Sequence, residues 1–227
     1  MNHALIVVDL QNDFLVKGGF YDRKEKIRIT IPEGMSGDDL SEPSKPQPYA
    51  LRNQKLEPVI DNVSQAVARA RQLGWPIAFV LAAYGHAFES KPGFLRKSRL
   101  PRSDYPCKPG TWGAQPIEPI LKLLYPGGQN TNSEIVVHKH TLDGFVDTEL
   151  LCFLLERATE SVCVCGVETD ACVLATAISA SARFESILLE DCTWTSTGNS
   201  ANALRIFENA FGHVQLWSSA ISESNVA

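Results

Sequence analysis

Short runs of Val, Ile, Leu and Cys recur along this chain without the in–out alternation of a half-exposed strand. ALIVVD at 4–9, EIVVHK at 134–139 and SVCVCG at 161–166 are the clearest cases. A strand with one wet face alternates polar and apolar residues, whereas one buried on both faces does not. Sheets covered on both faces are built from parallel strands, because each crossover lays a helix on the sheet. Strands are therefore expected at Ala4–Asp9, Pro76–Ala82, Glu134–Lys139, Ser161–Gly166, Ser186–Glu190 and Val214–Trp217. Helical spacing falls between them, at Glu57–Leu73, Ile117–Leu124, Asp147–Arg157, Asp170–Arg183 and Asn199–Phe211, with Asp147 a candidate cap and Gly74 a stop signal. The alternation predicts an α/β chain: a three-layer α/β/α sandwich around a mostly parallel, six-stranded, doubly wound sheet.

The chain has 227 residues, which fits a single domain over 1–227 with a polar insertion at about 20–55. That insertion carries Pro32, Pro43, Pro46 and Pro48, and a second irregular stretch spans 84–113. Connections this long are either lids over a site or surface elaborations. A net charge of -5 speaks against nucleic acid or an anionic membrane as partner. No run approaches the roughly 18 apolar residues of a membrane span. The run Ala4–Val8 is too short for a signal-peptide core and no basic residue precedes it, so the expected location is the cytoplasm. Six cysteines, most of them in apolar segments, read as reduced and buried rather than bridged.

In open parallel sheets, ligands bind beyond the carboxyl ends of the strands. Asp9 closes the first expected strand and Lys139 the third, and GVETDAC after the fourth puts Cys172 at a helix start. With Thr169 or Asp170 as cap, Cys172 would lie in a first helical turn. There, backbone N–H groups and a nearby ammonium would lower its thiol pKa. A carboxylate beside a thiol can take its proton and later hand it to a leaving amine. Each residue alone has a plainer use, as a turn aspartate, a solvated lysine or a core cysteine. Their convergence on one sheet edge is what suggests chemistry.

At this point the sequence resembles the isochorismatase-like cysteine hydrolases. The matching pieces are ALIVVDLQNDF at 4–14, GTWGAQPIEPILKLLYPGG at 110–128, VVHKHTLDGF at 136–145 and CGVETDACVLATAISA at 165–180. The resemblance covers nearly the whole chain apart from the insertion. It implies a catalytic triad of Asp9, Lys139 and Cys172. It also implies a cis peptide bond at Val167–Glu168, with backbone N–H groups near Glu168 and Cys172 forming an oxyanion hole. Phe14, Trp112 and Phe145 match family positions near the pocket, core packing being their other use. The implied reaction is cleavage of a C–N bond in a small amide, ureide or carbamoyl compound through a thioester, with no cofactor. The partner is a small-molecule substrate, and the resemblance suggests a homodimer or homotetramer.

Nicotinamidases of this family carry an Asp-x-His metal motif after the second strand. Here the segment reads AAYGHAFES, with Tyr84 two residues before His86, so no metal is expected. A metal-dependent amidase recruiting His86 is one alternative, and a catalytically inactive binding protein on the same fold is another. Isochorismatases proper have a different residue in place of the cysteine, which disfavours isochorismate itself. DLQNDFLVKGG after the first strand lacks the G-x-G-x-x-G spacing of a dinucleotide binder. Arg96, Lys97, Arg99 and Arg102 could meet a substrate carboxylate, although charge runs in loops are usually solvated.

Overall fold

The structure, a computed structural model, describes residues 1–23, 49–85, 104–124 and 133–222. Its strands are β1 (His3–Val8), β2 (Ile77–Ala82), β3 (Glu134–Lys139), β4 (Ser161–Val167), β5 (Glu185–Trp194) and β6 (His213–Gln215). Between them lie α1 (Asn12–Leu15), α2 (Leu56–Gln72), α3 (Glu118–Leu124), α4 (Leu150–Leu155), α5 (Leu174–Ser181), α6 (Ser200–Ala210) and α7 (Trp217–Ala220). A π-helical turn, Thr169–Val173, leads into α5. The bulk of the 20–55 insertion and of the 84–113 stretch lies outside the described residues, as do His86, Arg96, Lys97, Arg99, Arg102 and the Pro126–Gly128 segment.

The six strands form one sheet in the order β3-β2-β1-β4-β5-β6. Every neighbouring pair is parallel, so "mostly parallel" becomes wholly parallel. The chain first winds outward from β1 to β2 and β3, then returns to the other side of β1 with β4, β5 and β6. The direction of winding reverses between β1 and β4, and a crevice opens at such a switch point, beyond the carboxyl ends of the strands.

Both faces of the sheet are covered, which accounts for the absent alternation. Leu5 and Val7 of β1 join a core with Val63, Val67 and Ala70 of α2. Ala4, Ile6 and Val8, pointing the other way, join Phe153 of α4, Ala177 of α5 and Phe207 of α6. β1 is buried along its whole length. The amphipathic stripe of α2 buries Val59, Ile60, Val63, Ala66, Val67 and Ala70. Gly74, at φ +70°, ends that segment as expected. Arg71 pins α2 to the sheet by a two-pronged ion pair with Glu134 of β3, at 2.7 and 2.8 Å.

Several expected boundaries move: β1 stops at Val8, one residue short of Asp9, and β6 is His213–Gln215, with Trp217 opening α7 instead of closing that strand. β5 runs to Trp194 rather than Glu190, because Thr193 and Trp194 pair with Gly166 and Val167 after a register shift. The apolar run revealed only the first half of that strand. α4 starts at Leu150, and Asp147 does not cap it. Asp147 sits at φ +55°, and the hydroxyl of Thr148 instead accepts the Leu150 N–H at 3.3 Å. The segment expected as one helix from Asp170 begins as the π turn, with α-helix only from Leu174.

Candidate active site

Asp9 follows β1 directly, in the left-handed region at φ +55°, which an aspartate tolerates better than most residues. Its N–H is held by Val80 O at 2.8 Å and its C=O by Gln11 N–H at 2.8 Å. Gln11 in turn bridges the strand ends: its amide donates to Ala82 O and Ala114 O, and its oxygen accepts from Ala82 N–H. The turn after β1 is thereby locked against β2, and the Asp9 side chain with it.

Lys139 is the last residue of β3, yet it is fully buried, as is Asp9. Its Nζ lies 2.9 Å from Asp9 Oδ2. The same ammonium donates to Cys172 Sγ at 3.3 Å, to Thr141 O at 3.0 Å and to Tyr84 Oη at 3.2 Å. Cys172 is 5% exposed, so the three predicted residues meet in one nearly closed cluster. The carboxyl end of β3 supplies the lysine, β1 the aspartate, and the turn after β4 the cysteine, which places the cluster at the switch point.

The setting of Cys172 differs from expectation. It lies inside the π turn, ahead of the α-helix. Glu168 occupies the cap position, and neither Thr169 nor Asp170 caps with its side chain. Both face the end of β5 instead: Thr169 pairs with the Thr193 hydroxyl at 2.9 Å, and the Asp170 carboxylate accepts from Thr195 and Thr197, each at 2.5 Å. Nor is the thiol pKa lowered. Burial pushes it up from 9.0 to about 12, the Asp9 charge adds to that, and Lys139 opposes it without prevailing. Burial likewise raises the Asp9 carboxyl, against the pull of Lys139. Burial works against the Lys139 charge, but the facing Asp9 overcomes it and raises that group. The resting cluster is therefore an Asp9 carboxylate paired with a Lys139 ammonium beside a neutral thiol.

The Val167–Glu168 peptide bond is cis. The Glu168 side chain accepts from the Ser196 N–H at 2.6 Å and faces Arg52 at 3.5 Å, and it shares the single Thr195 hydroxyl proton with Asp170. Phe14 is buried and packs against Tyr21 with ring centroids 5.5 Å apart. Trp112 is half-buried against the same core, and its carbonyl accepts from Asn12 at 2.9 Å. Phe145 packs on the opposite core, stacked with Phe184 at 6.4 Å. The three aromatics thus divide between the two faces of the sheet.

Sequence reasoning passed over Tyr84, Gln11 and Arg52. Tyr84 follows β2 by two residues, so the strand-end rule that selected Asp9 and Lys139 would have selected it too. Gln11 had no such signal, because only the folded sheet brings Ala82 and Ala114 to its amide. The Arg52 side chain, 4% exposed, lies over the rings of Tyr21 and Trp194 at 5.6 and 5.0 Å. Among the described residues, no group of three or more His, Cys, Asp or Glu is arranged to hold a metal ion, and no helix is long and apolar enough to cross a membrane.

Comparison with known proteins extends this geometry. The family model for the isochorismatase domain matches residues 3–219. The ureidoacrylate amidohydrolase RutB of Pantoea ananatis is 27% identical over 231 residues, covering 96% of this chain and 79% of that protein. The enzyme of the same name from Klebsiella pneumoniae is 28% identical over 226 residues, covering 93% and 82%. Among solved structures, the nicotinamidase of Bacillus subtilis superposes with a TM-score of 0.70 at 19% identity, over 94% of this chain and 99% of that one. The N-carbamoylsarcosine amidase of Thermoplasma acidophilum does so with a TM-score of 0.64 at 18% identity, over 96% and 98%. At these identities the structures speak for the fold.

Proposed function

The chain belongs to the isochorismatase family, and from that premise we propose that it is a cysteine hydrolase whose working residues are Cys172, Asp9 and Lys139. Its reaction is hydrolysis of a C–N bond in a small amide, ureide or carbamoyl compound. The observation that carries the reading is Lys139 Nζ standing 2.9 Å from Asp9 and 3.3 Å from Cys172, inside a closed cluster at the switch point.

The chemistry follows from the charge distribution. With a neutral thiol beside an ionised carboxylate, Asp9 acts as general base as the sulfur attacks. Asp9 takes the thiol proton while Cys172 Sγ forms a bond to the carbonyl carbon. Backbone N–H groups near Glu168 and Cys172 hold the oxygen that becomes negative. The C–N bond then breaks as Asp9 delivers the same proton to the departing nitrogen, leaving a thioester. Asp9 next removes a proton from water, the resulting hydroxide attacks the thioester carbon, and the proton returns to sulfur as the acid leaves. Lys139 keeps Asp9 ionised between these transfers and stabilises the thiolate in passing. Phe14, Trp112 and Phe145, which match family positions near the pocket, are read as lining it from the cores in which they pack.

We also infer that one domain carries this activity, that it works in the cytoplasm, and that it assembles as a homodimer or homotetramer. Free cysteines, five of the six buried, suit a reducing compartment. Light scattering coupled to size exclusion measures the assembly state. The test of function is an ammonia- or amine-release assay over a panel of small amides, ureides and carbamoyl compounds, run on the parent chain and on Cys172→Ala. Turnover by the parent that vanishes in Cys172→Ala is the expected result. Turnover that survives the substitution, or that disappears on chelation and returns with a divalent metal, would overturn it.

A further inference from the structure

Lys139 is ion-paired with Asp9 Oδ2 at 2.9 Å and donates to three acceptors within 3.3 Å: Thr141 O, Tyr84 Oη and Cys172 Sγ. Of these partners the Tyr84 hydroxyl and the Cys172 thiol can also donate, and only the hydroxyl keeps its proton once Asp9 has taken that of the thiol. Tyr84 Oη lies 3.9 Å from Cys172 Sγ and 3.5 Å from Thr141 O. A sulfur acceptor tolerates the longer separation. The ring is fully enclosed, 2% exposed, and the Tyr84 N–H is fastened to Cys107 O at 3.2 Å.

We propose that Tyr84 is a fourth catalytic group of this site, its hydroxyl accepting from Lys139 and donating to the Cys172 sulfur as that sulfur turns into a thiolate. The inference rests on Cys172 being the nucleophile. In the resting cluster the sulfur carries its own proton and needs no donor, so the Tyr84 O–H turns toward Thr141 O. When Asp9 takes the thiol proton, rotation about one C–O bond brings the O–H onto the sulfur. The thiolate then receives two donors, Lys139 directly and Tyr84, and Tyr84 is itself polarised by the lysine, so the two hydrogen bonds strengthen each other. No proton leaves the hydroxyl. Burial and the nearby Cys172 and Asp9 charges raise the phenol well above 10.0, so it stays an O–H donor throughout. Loss of the hydroxyl still leaves Lys139 its Asp9 ion pair and the hydrogen bonds to Thr141 O and Cys172 Sγ, which makes Tyr84→Phe a mild change for the fold.

The test is the rate of iodoacetamide labelling of Cys172 between pH 7 and 10, followed by peptide mapping, in the parent chain and in Tyr84→Phe. One lost hydrogen bond to the thiolate should raise the thiol pKa by about one unit. The tenfold smaller thiolate fraction is partly offset by higher intrinsic nucleophilicity, so labelling should slow about threefold. A purely structural role would loosen the pocket and speed labelling, so faster or unchanged labelling overturns the proposal. As a second variant, 3,5-difluorotyrosine at position 84 is a stronger donor and should label faster than the parent; an unchanged or slower rate also overturns it. Failure of the nucleophile reading is seen separately, as turnover that persists in Cys172→Ala.

Discussion

The cluster of Asp9, Lys139 and Cys172 holds two buried charges that neither Asp9 nor Lys139 could sustain alone. An isolated buried ammonium or carboxylate would shed its charge, whereas Lys139 and Asp9 hold theirs by facing each other at 2.9 Å. Lys139→Met keeps the volume and strands the carboxylate, so it should cost about 3–5 kcal/mol at pH 7. The loss should shrink at pH 5, where the stranded Asp9 can accept a proton. Urea unfolding at the two values reads the difference, and equal losses would contradict the pairing. Cys172→Ala and Asp9→Asn should each lower kcat by roughly a thousandfold or more, as removal of a nucleophile or its base does elsewhere. Asp9→Asn should leave Cys172 open to alkylation, which separates loss of the base from loss of the fold. On the acid side, the proposed mechanism needs Asp9 ionised. Burial raises that group, so kcat/KM should fall along a limb lying above the ordinary 3.8; a limb at or below that value would argue against Asp9 as base.

At the scale of elements, the geometry depends on how closely β1 and β4 approach. Gly166 has φ +120°, and a Cβ there would stand 2.0 Å from Val8 O, one residue before Asp9. Gly166→Ala must therefore part the two central strands or distort the backbone, at a cost of roughly 3 kcal/mol or more. Calorimetry should show a large fall in Tm, and turnover should drop with it because Asp9 and Cys172 flank the same joint. A variant with parent-like Tm would mean that the strands separate more easily than their burial suggests. Elements also show where reading by pattern ends. The first half of β5 is visible as an apolar run, but Asp191–Trp194 looks like loop, because its polar residues find partners remote in sequence: Thr193 on β4 and the π turn, Asp191 on the Trp217 N–H. The π turn itself has no periodic signature, since its one extra residue per turn appears only in the hydrogen bonding.

For the whole molecule, burying both faces of the sheet carries a dependence on pH. Cys107, Cys163, Cys165, Cys172 and Cys192 are buried thiols whose ionisation burial pushes above 9.0. The unfolded chain ionises them near 9.0 while the folded chain keeps them neutral, so above that pH the unfolded state binds fewer protons. Their contribution is complete below pH 9 and drains away as pH rises, by up to about 1.4 kcal/mol per pH unit for each thiol. Guanidinium unfolding under a thiol reductant should show stability falling steeply between pH 8 and 10. A flat profile would show that the thiols are solvated in the folded state.

The sequence by itself determined the layered α/β class, the doubly wound parallel sheet and the three residues that gather at its edge. Those are consequences of local pattern: a run without alternation must be covered twice, and residues at or just beyond the carboxyl ends of parallel strands lie where the crevice opens. The protonation state of the thiol, the π turn, the Tyr84 hydroxyl and the Gln11 brace were decided only by the tertiary structure. Desolvation and hydrogen bonding depend on what lies within a few ångströms in space. Asp9, Tyr84, Lys139 and Cys172 become neighbours only when β1, β2, β3 and β4 stand side by side.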